Sequence, residues 1–316
     1  MGVTPPTFDD IEAAAERIKD RVRRTPCLRT RFVRNPIHSG DVLLKLECLQ
    51  VTGSFKSRGA NNAILSLDDA AVTRGVVTAS SGNHGTAVAY AARASNAKAY
   101  VYLPESAPAD KIAKLRQWDA EVVIGGTVWD DANDAALARA ERDGLTYIAP
   151  FADPAVIAGN GTVGREMMKQ SSNIDVLVVA IGGGGLISGI ATAAKAMKPG
   201  VKIIGVEPTG APTLKSSRDA GELVTLDDVT TAAGSLAPRR SADINLDIFT
   251  EFVDDIVLVS DDDMRAATRW LWFEMGIAAE LSGAAALAAI HAGKLSLPDD
   301  ATVAAVVCGA GATDIV

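Results

Sequence analysis

Residues 175–197 read DVLVVAIGGGGLISGIATAAKAM. An unbroken apolar run, four glycines and a small-residue helical pattern follow one another with no spacer. A strand that is apolar on both faces belongs inside a sheet covered by helices, and that sheet is parallel. The unit recurs along the chain. Strand patterns at 41–47, 75–80, 97–104, 121–126, 202–208, 254–260 and 301–311 alternate with helical patterns at 7–24, 54–65, 86–95, 110–120, 129–144, 154–170, 186–197 and 261–293. This order predicts an α/β chain with a two-lobed, open parallel-sheet fold. A smaller unit over 71–152 is expected inside a larger one made of 1–70 and 153–316. No internal repeat or low-complexity linker breaks the pattern.

Ligands of such folds sit beyond the carboxyl ends of the strands. Three of those ends are glycine-rich here: Ser81–Gly85, Gly182–Gly185 and Gly309–Gly311. After a buried strand and before a helix, Gly182 to Gly185 let backbone amides converge on an anion, and the helix dipole adds to the attraction. The run fits neither G-x-G-x-x-G nor a Walker loop, so the anion is expected to be the phosphate of neither a dinucleotide nor a nucleoside triphosphate. Ser80, Ser81, Gly82, Asn83 and His84 open another helix and could hold a carboxylate, or could simply cap it.

Lys56 sits in TGSFKSRGA, among small residues and beside Phe55. A lone lysine is usually solvated. Burial and a helix N-terminus would instead depress its pKa and make its amine a nucleophile. The small neighbours are read as leaving room for a flat ring against Phe55. Lysine, phosphate site and carboxylate site together are what pyridoxal phosphate chemistry requires.

What the chain excludes narrows the field. A net charge of −8 argues against nucleic-acid binding. Three cysteines without framework spacing suggest reduced thiols and a cytoplasmic protein, and the acidic N-terminus is not a signal peptide. His38, His84 and His291 make no metal-ligand spacing. No long uncharged apolar run is present to cross a membrane.

In order, TGSFKSRGA, SSGNHG and IGGGGL resemble the fold-type II pyridoxal-phosphate enzymes, whose architecture is tryptophan synthase β-like. The branch they look like is the threonine and serine dehydratases together with serine racemase, from RTPCLRT near residue 25 to CGAGAT at the end. The resemblance implies that Lys56 holds the cofactor covalently and is the base for the substrate Cα proton. It implies Phe55 on one side of the pyridine ring and Gly234 on the other. Gly182, Gly183, Gly184, Gly185 and Leu186 would bind phosphate, and Asn83 the cofactor's 3′ oxygen. Ser80, Ser81, Gly82, Asn83 and His84 would line the substrate carboxylate site. Cys308 would face the pyridine nitrogen, with a small buried strand residue as the plainer reading. Glu280 matches a family glutamate near the cofactor, or is a surface helix residue.

The activity implied is dehydration of L-threonine or L-serine to a 2-oxo acid and ammonia by a homodimer. Serine racemase and 3-hydroxyaspartate dehydratase are the alternatives. Ser81 is the position at which racemases carry a second acid–base serine. Glu207 and Ala211 are candidates for a divalent cation, but Thr213 stands where the racemase-like branch has an aspartate. Arg239 and Arg240 read either as an exposed loop pair or as readers of an acidic substrate side chain. No C-terminal regulatory domain is expected. The competing class is a non-catalytic α/β protein with an anion loop.

Overall fold

The computed structural model describes residues 3–80 and 82–312. Ten strands form two sheets among these residues, and the expected α/β class with parallel sheets is what the chain adopts. The larger sheet runs β1 (Cys27–Arg29), β2 (Val42–Leu46), β10 (Val303–Val307), β7 (Val176–Ala180), β8 (Lys202–Pro208) and β9 (Asp255–Val259). All its pairs are parallel except β1 on β2, a short antiparallel edge that the sequence pattern did not reveal. The smaller sheet is wholly parallel, in the order β5 (Glu121–Ile124), β4 (Ala99–Leu103), β3 (Val76–Ala79), β6 (Thr146–Tyr147). Every residue of β2, β3, β7 and β10 is buried, as doubly covered strands must be.

Helix α1 (Phe8–Ile18) starts at a Thr7–Asp10 capping box but stops short of the expected residue 24. Beyond that end, Gln50 anchors the chain at Arg23. Its side chain accepts from the Arg23 amide at 2.7 Å and donates to the Arg23 carbonyl at 2.8 Å.

Helices α2 (Lys56–Leu65), α7 (Pro154–Gln170) and α8 (Gly185–Met197) pack on one another through glycine. A Cβ at Gly59 would come within 2.7 Å of the Val156 carbonyl, and one at Gly161 within 2.9 Å of the Gly189 carbonyl. Backbone therefore meets backbone at both crossings. The small residue at Gly59 thus serves a helix–helix contact, and Ala60 lies in the core of the smaller sheet with Val76 and Val88. The expectation that these residues clear space for a ring is corrected on both counts.

A buried ionic cluster fixes the same helix. Arg58 donates to Glu47 at 2.8 and 2.9 Å and to Glu166 at 2.8 and 2.9 Å, while Lys45 donates to Glu166 at 2.7 Å. Two cations thereby balance two carboxylates, of which Glu47 is fully buried and Glu166 partly exposed. No helix among the described residues is long and apolar enough to cross a membrane.

Candidate active site

Strands β2, β10 and β7 are neighbours at the centre of the larger sheet. The chain leaves β2 for Lys56, β10 for Cys308 and Gly309, and β7 for the four glycines. Phe55 donates its amide to the Cys308 carbonyl at 3.2 Å, and Ala310 donates to the Gly53 carbonyl at 2.8 Å. The Lys56 segment is thereby stitched to the end of β10.

Lys56 is half-buried, and its Nζ donates to the Pro150 carbonyl at 2.7 Å and lies 5.3 Å from the centre of the Phe55 ring. No carboxylate offsets its desolvation, which pushes the ammonium down to about 8; the nearby Cys308 opposes the shift. A substantial fraction is therefore the neutral amine near physiological pH.

The glycine loop is shaped by its neighbours. A Cβ on Gly182 would lie 2.7 Å from the Ser235 carbonyl, and one on Gly185 2.9 Å from the Phe151 Cα. At Gly183 it would strike the Phe151 ring. Gly184 has φ +98°, in the left-handed region that favours glycine. Among the described residues, no acceptor is paired with the backbone N–H of Gly182, Gly183, Gly184, Gly185, Leu186 or Ile187. Four of these residues, Gly184 to Ile187, are buried. These are the N–H groups that a helix start leaves without intrahelical partners, and such a cluster is suited to binding an anion.

At the end of β3 the arrangement repeats on a smaller scale. The amides of Asn83, His84 and Gly85, at the start of α4 (Asn83–Ala94), donate to no acceptor among the described residues. Ser80 is half-buried, with its hydroxyl accepting from the Gly82 amide at 3.3 Å. Ser81 lies outside the described residues. The Asn83 side chain donates to Glu280 at 2.8 Å. The His84 ring is buried. Its Nε2 faces the Ile148 carbonyl at 3.0 Å and so carries the proton, while Nδ1 has no partner among the described residues. Burial, reinforced by the charge of Lys56, holds this histidine neutral with a pKa near 3. An anion here would meet the His84 amide and not an imidazolium.

Cys308 is buried, and desolvation drives its thiol far above the ordinary cysteine range. Glu280 precedes α12 (Leu281–His291), where burial raises its carboxyl pKa against the pull of Asn83, Lys111 and Lys114. Gly234 is exposed in a short turn whose Ser235 carbonyl approaches Gly182.

Sequence reasoning missed the segment between β6 and α7. Ile148 accepts from His84, Pro150 accepts from Lys56, and Phe151 packs on Gly183 and Gly185. Three residues of one short stretch thus touch all three motifs. Sequence reasoning also missed α10 (Asp243–Phe252), although Ile244, Ile248 and Phe249 carry helical spacing.

Other candidates lie elsewhere. Arg239 donates to the Leu226 carbonyl at 2.8 Å, and Arg240 to Leu223 and Thr225 at 3.0 Å; both are exposed and tie down a loop. Glu207 is fully buried and accepts from the Leu214 and Lys215 amides at 2.8 and 2.9 Å, which caps α9 (Thr213–Ala220). Burial pushes its carboxyl up to about 7. Ala211 is buried beside it, and the Thr213 hydroxyl donates to the Pro238 carbonyl at 2.7 Å. No group of three or more His, Cys, Asp or Glu among the described residues is placed to hold a metal ion.

A lysine of depressed pKa near two helix starts with unpaired amides suits a phosphorylated aldehyde, and comparison with known proteins shows the family. The family model described as "Pyridoxal-phosphate dependent enzyme" matches residues 18–309. The chain belongs to that family. It is 39% identical to the L-threonine ammonia-lyase of Thermotoga maritima over 90% of this chain and 71% of the relative. It is 37% identical to the serine racemase of Arabidopsis thaliana over 89% of this chain and 84% of the relative. The structure of maize serine racemase superposes with a TM-score of 0.93 at 34% identity, covering 97% of this chain and 94% of that one.

The residues present fit the family's cofactor. The unpaired amides of Gly182 to Ile187 suit its phosphate, Lys56 suits its aldehyde, and the small neutral Cys308 leaves the end of β10 free of charge.

Proposed function

We propose that the protein is a pyridoxal-phosphate ammonia-lyase that removes water from L-threonine or L-serine, giving a 2-oxo acid and ammonia after hydrolysis of the released enamine. The observation that carries this reading is the unpaired amide cluster at Gly182–Ile187 in the same site as a lysine of depressed pKa. When bound, pyridoxal phosphate supplies an electron sink that weakens the bond between Cα and its hydrogen.

The chain's own residues do the rest. The Lys56 amine would hold the cofactor and would serve as the base for the substrate Cα proton. Glycine-loop amides would hold the phosphate, Asn83 the ring's 3′ oxygen, and Phe55 and Gly234 the ring itself. Amides at the start of α4, with Ser80 and Ser81, hold the substrate carboxylate at the positive end of that helix. Cys308, a neutral thiol, cannot hold a pyridine nitrogen protonated as a carboxylate would.

Racemisation of serine is the second reading, supported by the likeness to maize serine racemase. The deciding experiment assays 2-oxo acid and D-amino acid from L-threonine, L-serine and 3-hydroxyaspartate, with and without Mg²⁺. Dominant 2-oxo acid release from threonine or serine is expected; dominant D-amino acid formation would reject the lyase reading.

The two sheets support a division into a larger cofactor-binding unit, 1–70 and 153–316, and a smaller substrate-binding unit, 71–152, with α2 packed into the core of the smaller one. Free Cys27, Cys48 and Cys308 support a cytoplasmic location, which cell fractionation tests. We assign a homodimer to the exposed aromatics Phe32, Trp272 and Phe273. The segments that carry them meet where the Arg34 amide donates to Glu274 at 2.7 Å. Sedimentation of the Phe32→Ser, Phe273→Ser double variant as a monomer is the expected result.

A further inference from the structure

We infer that Asn245 is the positioning residue that aims the anion loop, a role that rests on reading Gly182–Ile187 as a phosphate cradle. Asn245 lies on α10, far in sequence from every motif of the site, and its side chain is fully buried. Its Nδ2 donates to the Gly183 carbonyl at 2.9 Å and to the Phe151 carbonyl at 3.1 Å. Its Oδ1 accepts from the Ser188 hydroxyl at 3.0 Å. Two carbonyl acceptors on one side and a hydroxyl donor on the other fix which way the amide faces.

The consequence follows from peptide geometry. The Gly183 carbonyl and the Gly184 N–H belong to one planar unit, and the described chain has no cis peptide bond. In a trans peptide those two groups point in opposite directions. Asn245 and the Ser241 hydroxyl, which donates at 2.8 Å, both draw the Gly183 carbonyl to the back of the loop. They thereby turn the Gly184 N–H toward the front, beside the unpaired amides of Gly185 and Leu186. A Cβ at Gly184 would lie 2.9 Å from the Asn245 Cβ, so the asparagine also backs the left-handed turn. A flexible four-glycine loop would otherwise sample many peptide orientations, and ordering them would cost binding energy. Asn245 removes that freedom before the anion arrives.

The test separates phosphate from the rest of the cofactor. The full chain, stripped of cofactor, is titrated with pyridoxal phosphate and with pyridoxal by its visible absorbance, and with inorganic phosphate as competitor. For Asn245→Ala we expect pyridoxal phosphate to bind roughly ten- to a hundredfold more weakly, with pyridoxal unchanged. Ser241→Ala, which removes only the second donor to Gly183, should shift the same ratio in the same direction by less. It serves as the test if Asn245→Ala fails to fold. An unchanged ratio in the folded variant overturns the inference while leaving the proposed activity standing. Wild-type protein that prefers pyridoxal phosphate no more than pyridoxal overturns the cradle reading and this inference with it.

Discussion

The carboxylate of Glu280 accepts a 2.8 Å hydrogen bond from the side-chain amide of Asn83, 197 residues away in sequence. One residue precedes the helix behind β10, and the other opens the helix after β3. The bond therefore ties the larger sheet to the smaller one at the mouth of the site.

Burial holds the Glu280 pKa above its ordinary value of 4.5. Between the unfolded and folded values the folded chain binds more protons, so this group adds stability as pH falls through its folded pKa. Glu280→Gln keeps an acceptor for Asn83 and removes the charge. The variant should be more stable than wild type at neutral pH, with the gap closing on acidification. Urea midpoints of the two proteins across pH 4 to 8, on the order of the carboxyl range, check this; a gap independent of pH would refute it.

Lys56 should capture cofactor faster as pH rises, because only its neutral amine attacks. With the pKa depressed to about 8, the rate should climb roughly tenfold per pH unit below that point and level off above it. Stopped-flow absorbance gives the profile, and a climb continuing to pH ~10, the ordinary lysine range, would contradict it. Lys56→Ala should abolish covalent attachment and lyase activity together.

Arg58→Ala would leave Glu47 buried without its partner and strip Glu166 of one of two cations. A loss of about 3–5 kcal/mol is expected in urea unfolding. Since Arg58 and Lys56 share a helix, the cofactor should also dissociate sooner from the variant than global unfolding explains.

Gly183→Ala drives a methyl group into the Phe151 ring. Affinity for pyridoxal phosphate should fall at least tenfold, and Phe151→Ala in the same chain should recover part of it. Absorbance titration of both proteins decides the point; equal affinities in the single and double variants would show that the ring is not the obstacle.

The fold was legible because its signals are local. Apolar runs ending in glycine mark parallel strands, and the order of three short motifs marked the family. What stayed hidden depends on tertiary distance. Asn245 carries no motif, and its carboxamide matters only because α10 brings it against Gly183. Ile148 to Phe151 act largely through backbone carbonyls, which every residue possesses. Arg58 looked like part of the lysine motif, whereas its partners Glu47 and Glu166 are set by β2 and α7. Gly59 looked like room for a ring until the crossing with α7 was seen.

Ile148 to Phe151 also make errors in the site correlated. One stretch of four residues sets the height of the Lys56 amine, the tautomer of His84 and the seat of Gly183. A substitution that displaces this stretch should therefore disturb all three at once, a little each, before it destroys any one of them.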